Sequence, residues 1–126
     1  MTIQTAIDRL DAMKPNVMER SLKIAALSEL DGLIFREIIV RHWQSPDQQI
    51  EFQEYDIDTD PGTELIAPFP YDELYTFWLM SKVDMMNMEM DKYNNDRALF
   101  NNAYDMFHDW WRRTHMPLTQ VRELRI

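Results

Sequence analysis

The fold is decided by residues 69–117, FPYDELYTFWLMSKVDMMNMEMDKYNNDRALFNNAYDMFHDWWRRTHMP. Eleven of the chain's fifteen aromatic residues lie in this stretch. Its apolar residues recur at i, i+3, i+4 and i+7, a spacing typical of helices with one buried face. The stretch therefore predicts a long antiparallel helical hairpin, 71–92 and 95–115. The two stripes are Tyr71, Leu74, Tyr75, Trp78, Met85 and Met88, then Leu99, Phe100, Ala103, Phe107 and Trp110.

Charged and capping residues mark the ends of both predicted helices. Asp72 stands where the helix macrodipole favours anions, and Arg112 and Arg113 stand where it favours cations. An asparagine side chain accepts a hydrogen bond from a free backbone N–H at a helix start, so Asn94 or Asn95 is expected to cap the second helix. We expect a tight corner at this pair.

Composition limits the classes of protein to which the chain can belong. Its 126 residues and 15.2 kDa fit one domain, 1–126, that buries about two thirds of its unfolded surface. The absence of cysteine excludes disulfides and thiolate metal sites. The net charge of −9 argues against nonspecific binding to duplex nucleic acid. No apolar run is long enough for a membrane span, and no signal peptide opens the chain, so we expect a soluble protein made in the cytoplasm.

The chain before the hairpin predicts two further helical regions. An apolar stripe over Thr2–Met13 predicts a short helix that ends before Pro15, because the residue before proline disfavours helical dihedrals. A second stripe runs from Val17 toward Trp43. Glycine costs about 1 kcal/mol in a helix interior, so we expect a kink or break near Ser28–Gly32. With the hairpin, these regions predict an all-α bundle of about four helices.

The segment 44–69 differs in kind from the helices. It holds seven acidic residues and no lysine or arginine, and connections this long are usually functional or disordered in compact domains. Asp60-Pro61-Gly62-Thr63 fits a type II turn, with proline second and glycine third. We expect a projecting acidic loop or a small β-hairpin. Its interaction residues are expected to be Asp56, Asp58, Asp60 and Glu64.

The C-terminal residues 117–126 are expected to form an extended arm. They are too apolar for a disordered end and too few to bury themselves, so they need a partner surface on their own domain or on another chain. The arm and the end of the second hairpin helix supply the remaining candidate interaction residues, Arg112, Arg113, Leu118, Val121, Arg122, Leu124, Arg125 and Ile126.

Motifs for catalysis or metal binding are weak. The run Asp56-x-Asp58-x-Asp60 resembles the start of a calcium loop, but Pro61 stands where that loop needs glycine, and Ala67 stands where it needs a bidentate glutamate. No nucleophile elbow, P-loop or dinucleotide fingerprint occurs. A solvated acidic loop is therefore the better interpretation, and no catalytic residue, metal or cofactor is predicted.

Asp84 lies on a largely apolar side of the first hairpin helix. A buried unpaired charge is costly, so we expect a pair with Arg97 or Arg112 on the facing helix, and no second carboxylate is evident nearby for catalysis. The five methionines between positions 80 and 90 go round the same helix, so some of them face a neighbouring helix or another subunit. The residues assigned a structural role are Trp78, Asp84, Phe100, Tyr104, Phe107 and Trp110.

Several blocks of the sequence, taken as a set, resemble small all-α head–tail connector proteins of tailed bacteriophages and Firmicutes prophages, which are also called adaptor or head-completion proteins. The resemblance covers residues 6–117. It rests on Pro15-Asn16, Leu27 to Phe35 (LSELDGLIF), Pro68 to Tyr75 (PFPYDELY), Tyr93-Asn94-Asn95, Phe100-Asn101, Tyr104, and Trp110 to Pro117 (WWRRTHMP).

The resemblance implies a ring of copies beneath the portal protein, at the head–tail junction of the virion, where the ring also meets a tail-side head-completion protein. Residues 44–67 and 118–126 would be arms that reach the portal and neighbouring copies. The charges agree with this, because an acidic segment and a basic end can make the head-to-tail contact of a closed ring. DNA would pass through the lumen without sequence-specific contacts.

Two alternatives stay open. The first is a non-virion, phage-encoded interaction module that binds a partner protein through the methionine and tryptophan surface. The second is a metal-dependent all-α hydrolase, for which the acidic segment supplies carboxylates without the matching pair on a second helix.

Overall fold

The computed structural model describes residues 1–118. Within them the chain forms four α-helices, one short 3-10 helix and no strand, which confirms the all-α prediction. In the same residues no helix combines the length and the apolar character that crossing a membrane requires. The helices are α1 (Ile3–Met13), α2 (Arg20–Glu37), α3 (Glu73–Met86) and α4 (Met90–Thr114), and the 3-10 helix is Ile39–Arg41. The predicted interaction residues that lie outside the described residues are Val121, Arg122, Leu124, Arg125 and Ile126.

α1 begins and ends close to the predicted positions. Thr2 caps it, because the Thr2 Oγ1 accepts the backbone N–H of Thr5 at 3.1 Å. Lys14 ends the helix in an extended conformation, one residue before Pro15. The buried face consists of Ile3, Ala6, Ile7 and Leu10.

α2 is continuous, so the predicted break near Ser28–Gly32 is wrong. The Phe52 ring of the acidic segment packs over Gly32, and a Cβ at this position would lie 3.4 Å from the ring, in van der Waals contact with it. Ser28 caps no new helix, and its Oγ accepts the backbone N–H of Tyr55 at 3.0 Å. The two residues that suggested a break are thus the ones that residues 52–55 contact on α2.

The corner between α3 and α4 lies at Asn87–Glu89. The predicted boundaries 71–92 and 95–115 are therefore corrected, and the pair Asn94-Asn95 lies inside α4, where it caps nothing. An asparagine costs less than about 1 kcal/mol inside a helix, so a favourable corner elsewhere outweighs the preference of these two asparagines for a helix start.

A Schellman motif closes α3 at this corner. The backbone N–H groups of Met88 and Glu89 donate to the carbonyls of Met85 and Asp84, at 3.1 and 2.9 Å. These bonds satisfy carbonyls that the end of a helix leaves free. Met88 occupies the left-handed position with φ 57°, a position that glycine usually fills.

Aromatic side chains fill the contact between α3 and α4. The rings of Trp78 and Phe100 lie 5.0 Å apart, and those of Tyr71 and Trp110 are stacked at 4.9 Å. Tyr71, just before α3, thus contacts Trp110 near the end of α4. Of the aromatic residues assigned a structural role, Trp78, Phe100 and Phe107 are buried, and Tyr104 and Trp110 are partly buried against the core.

The acidic segment 44–69 lies along α1 and α2 and forms no strand, so neither the projecting loop nor the β-hairpin describes it. The backbone N–H of Ile3 donates to the carbonyl of Thr63 at 3.1 Å, and that of Leu65 donates to the carbonyl of Met1 at 2.9 Å. Leu65 and Ala67 are buried in the core. Apolar residues at the end of the segment therefore hold it against the helices.

The turn at Asp60–Thr63 is not the predicted type II turn. Its first carbonyl accepts the backbone N–H of Thr63 at 3.0 Å, but Gly62 lacks the positive φ that a type II turn requires. The Asp60 Oδ1 accepts the backbone N–H of Gly62 at 2.8 Å, and this side-chain bond fixes the turn instead.

The chain leaves α4 alongside the residues that follow the 3-10 helix. Met116 accepts the backbone N–H of Trp43 at 2.7 Å, and Pro117 forms an isolated bridge with His42. These bonds hold the start of the predicted arm, 117–126.

Candidate interaction surfaces

An open cleft of about 940 Å³ runs between the two legs of the acidic segment, and we call it the acidic cleft. Its apolar lining residues are buried or half-buried, whereas most of its carboxylates are exposed. Asp56, Asp58 and Glu64 line it, and Asp60 is exposed at the neighbouring turn. The structure thus brings the four predicted acidic interaction residues to one surface.

Most of these carboxylates have no cation beside them. Among residues 1–118, Glu64 pairs with the Met1 ammonium group at 3.2 Å, while Asp56, Asp58 and Asp60 form no ion pair. The Asp56 Oδ1 accepts the backbone N–H of Asp58 at 2.8 Å and so shapes a turn. The described residues contain no cluster of three or more potential metal ligands. The surface can attract a cationic partner through charges that are unpaired in this part of the chain.

Asp31 anchors the acidic segment to α2 from inside the core. Its carboxylate accepts hydrogen bonds from the hydroxyls of Tyr75 and Tyr55, at 2.5 and 2.6 Å, and from the backbone N–H of Ile66 at 3.2 Å. The Tyr75 hydroxyl also accepts the backbone N–H of Ala67 at 2.7 Å. Burial raises the pKa of Asp31, and the two hydroxyls oppose that shift. Sequence reasoning missed this site, although an aspartate beside Leu30 and Ile34 on the apolar stripe of α2 was a signal.

The basic end of α4 is exposed. Arg112 pairs with Asp109 one turn earlier, and Arg113 is exposed beside it. Within residues 1–118, no ion pair joins either arginine to the acidic cleft. Leu118 is partly buried. The structure therefore keeps the two oppositely charged surfaces apart on the described chain.

A buried ionic cluster ties the end of α1 to the α3–α4 corner. Asp84 is 1 % exposed and pairs with Lys14, which also lies 3.0 Å from Asp96 on α4. The burial of Asp84 is as expected, but the expected arginine partner is wrong, because the fold brings Lys14 to it. The expectation that no second carboxylate lies nearby is also wrong. The Oδ2 of Asp84 is buried without a hydrogen-bond partner among the described residues.

The charged groups of this cluster lie largely inside the fold. Burial and the neighbouring Asp96 raise the pKa of Asp84, and Lys14 opposes the shift. Burial lowers the pKa of Lys14, but hydrogen bonds to both carboxylates leave it raised overall. The three groups are buried or nearly so and line none of the open clefts described for this chain.

Arg97 contacts aromatic rings instead of Asp84. Its guanidinium carbon lies 5.0 Å from the centre of the Trp78 ring and 5.2 Å from that of Phe100. The Lys82 Nζ lies 4.5 Å from the same Trp78 ring and 3.1 Å from Glu29. Cation–π contacts thus place two cations on one aromatic platform.

Exposed methionines surround the α3–α4 corner. An apolar groove of about 380 Å³ lies between α2 and α3, and Lys82 and Glu29 stand among its lining residues. We call it the methionine groove, after its apolar residues Met18, Leu22, Ala25, Ala26, Met85 and Met86. Met88 is 84 % exposed at the adjacent corner. This surface fits an adaptable protein contact.

Comparison of the chain with protein-family models, with curated proteins and with solved structures found no match.

Proposed function

We propose that this chain is a head–tail connector of a tailed bacteriophage, a structural protein whose copies form a ring between the portal protein and a tail-side head-completion protein. In the proposed ring, the antiparallel pair α3 and α4 is the rigid body of each subunit. The acidic segment and the C-terminal arm reach neighbouring copies and the portal. The proposal assigns no catalytic role.

One observation carries the proposal: the chain has an acidic cleft without cations of its own and a separate basic end. Six carboxylates of the segment form no ion pair within residues 1–118, namely Asp47, Glu51, Glu54, Asp56, Asp58 and Asp60. At the other surface, Arg112 and Arg113 are exposed, and Arg122 and Arg125 follow in the sequence. Two different complementary surfaces make a heterologous contact, which closes into a ring when the rotation between copies allows it.

The net charge supports a role in which the chain surrounds DNA but does not bind it. At −9, the chain repels phosphates on average. A ring with an acidic lumen would let packaged DNA slide through without sequence-specific contacts.

Mass spectrometry tests whether the chain is located in the virion. The sample is purified DNA-filled heads from the phage or induced prophage that encodes the chain. We expect the chain in heads at a copy number close to that of the portal protein. Its absence from heads, with abundant free protein in the lysate, would reject the connector and favour a module that binds another protein outside the virion.

Charge reversal tests the contact between copies. Replacing Arg112, Arg113, Arg122 and Arg125 with glutamate should abolish assembly and leave the helical circular dichroism spectrum unchanged. A control with the same charge change at exposed sites elsewhere, Arg9, Arg36, Arg41 and Lys92, should assemble normally. Unchanged assembly of the first variant would reject the contact.

The second candidate, a non-virion interaction module, is favoured by the methionine groove and by Met88. Such a module would bind a partner protein through an apolar surface that a monomer leaves exposed. It predicts free protein in the lysate and none in heads, so the same mass spectrometry separates the two candidates.

A further inference from the structure

The methionine groove is a concave apolar surface that the described residues leave open. Leu22, Met85 and Met86 are 48, 49 and 45 % exposed, although each lies beside the core. Methionine side chains adapt to partners of irregular shape. The groove is therefore suited to one apolar side chain of a partner, with its neighbours reaching the edges.

Met88 extends this surface at a cost to the fold. It holds the left-handed backbone conformation with φ 57°, where a side chain is strained, and its own side chain is 84 % exposed. Glycine would close the same Schellman motif without strain. A contact outside the monomer gives a physical reason for a methionine at this position.

One cation, Lys82, lines the groove, where it pairs with Glu29 at 3.1 Å. A second cation, Arg97, lies against the same Trp78 ring that Lys82 contacts. Within residues 1–118, Arg97 has no carboxylate within ion-pair distance and makes no hydrogen bond through its side chain. Its guanidinium lies against aromatic rings, and a guanidinium group can bind a carboxylate in two-point geometry.

The chain itself carries a complementary shape at Asp56–Thr59, which we call the acidic turn. Ile57 is 57 % exposed between two exposed aspartates. The Thr59 Oγ1 accepts the backbone N–H of Asp56 at 2.8 Å, and the Thr59 N–H donates to the carbonyl of Asp56 at 3.1 Å. These bonds preorganise the turn, which lowers the entropy cost of inserting it elsewhere.

We propose that the acidic turn of one copy docks in the methionine groove of a second copy, with Ile57 in the groove and Asp56 and Asp58 against Lys82 and Arg97. Apolar fit favours this occupant, and so does the charge of Arg97, which has no carboxylate partner within residues 1–118. At Lys82 the incoming aspartates compete with Glu29. The proposal rests on the assembly of copies proposed above. It gives the tip of the acidic segment a binding site of its own and leaves Glu51, Glu54 and Asp60 to meet the basic end of a neighbour.

Charge-swapped pairs of the full chain test the contact by sedimentation velocity. The turn variant is Asp56→Lys/Asp58→Lys, and the groove variant is Lys82→Glu/Arg97→Glu. Each variant alone should associate about 100-fold more weakly than the wild type, because like charges then face each other. An equimolar mixture should regain association, because the turn of one variant then complements the groove of the other. Misfolding of either variant would not produce this recovery.

Two further variants keep the charges unchanged. Ile57→Ser should weaken association with the fold intact, because the groove loses its apolar occupant. Met88→Gly should raise Tm and weaken association. The control Arg9→Glu/Arg41→Glu changes net charge as the groove variant does, at exposed sites away from the groove and from Met88, and should associate like the wild type.

Several outcomes would overturn the contact: a wild type that stays monomeric up to its solubility limit, a groove variant that associates normally, or a mixture that fails to recover. If the groove variant associates normally in solution but no longer binds to heads, the groove belongs to another partner and the proposed contact is overturned. Failure of the connector function is distinct, because a chain absent from heads can still show the charge-swap recovery.

Discussion

Asp31 and Asp84 are both buried carboxylates, 0 and 1 % exposed, yet their surroundings differ. Asp31 accepts three hydrogen bonds from neutral donors, two of them tyrosine hydroxyls. Asp84 faces the Lys14 ammonium group and the Asp96 carboxylate, and one of its oxygens has no partner among the described residues.

The difference shows two ways in which a chain tolerates a buried carboxylate. Around Asp31, directional hydrogen bonds fix the acidic segment on α2 and set the position of the acidic cleft. Around Asp84, one cation balances two carboxylates, so the cluster keeps a net charge of −1 when all three groups are ionised. The stability of the protein should therefore depend on each hydrogen-bond donor at Asp31, whereas at Asp84 it should depend on the net charge of the cluster.

The largest effect should follow from removing the cation. Lys14→Met keeps the length of the side chain but leaves two carboxylates together in a buried site, so we expect a loss of about 3–5 kcal/mol in the free energy of unfolding. Urea unfolding measures it.

Lys23→Met is the matched control. Lys23 is 7 % exposed, but its partner Asp11 has a side chain that is 49 % exposed, so water can solvate Asp11 after the change. We expect a loss of about 1 kcal/mol or less. Equal losses for the two variants would mean that the second carboxylate at the Lys14 site has no energetic consequence.

An intermediate effect should follow from removing one donor to Asp31. Tyr75→Phe leaves the Oδ1 of Asp31 and the backbone N–H of Ala67 without a partner, so we expect a loss near the upper end of about 1–3 kcal/mol. Tyr55→Phe removes a donor from Asp31 Oδ2, which keeps the Ile66 N–H, so we expect a loss near the lower end of that range. The reverse order in thermal or urea unfolding would contradict the assigned roles.

The smallest effect should follow from Asp84→Asn, which leaves one cation and one carboxylate. We expect a change of less than about 1 kcal/mol at neutral pH, with stabilisation the favoured direction. Asp31→Asn should instead be destabilising, because an amide cannot accept all three hydrogen bonds in the same geometry. Urea unfolding of both variants gives the comparison.

The pH dependence of the Asp84→Asn effect has a defined sign. The pKa of Asp84 is raised above 3.8, first by burial and then by Asp96. The folded chain therefore holds this proton more tightly than the unfolded chain, so ionisation of Asp84 costs stability at neutral pH. That cost is removed as pH falls through the raised value toward 3.8. The advantage of the variant over the wild type should shrink over this range, and an advantage that grows on acidification would contradict the assignment.

The helices of this chain could be predicted from the sequence better than its buried charged sites and its surface grooves could. The burial of Asp84 followed from its place among methionines, but its partner Lys14 is 70 residues earlier, and no periodicity relates the two. Asp31 was not singled out, because its donors come from residues 55, 66 and 75. The four acidic interaction residues were found because they share a segment without cations, whereas the methionine groove combines residues of two separate helices.

The sequence by itself determined the all-α class, the position of α1 and most of the apolar stripes of the last two helices, because the spacing of apolar residues along one segment favours one buried face. Met85, Met88 and Leu99, which the predicted stripes included, are exposed. The tertiary structure decided the rest. Gly32 lies in a continuous helix beside the Phe52 ring, and the corner lies at Asn87–Glu89, where Schellman bonds close α3, rather than at the two asparagines. These outcomes depend on contacts between residues far apart in the chain, or on a choice between two possible corners of similar local energy, so local propensity could not settle them.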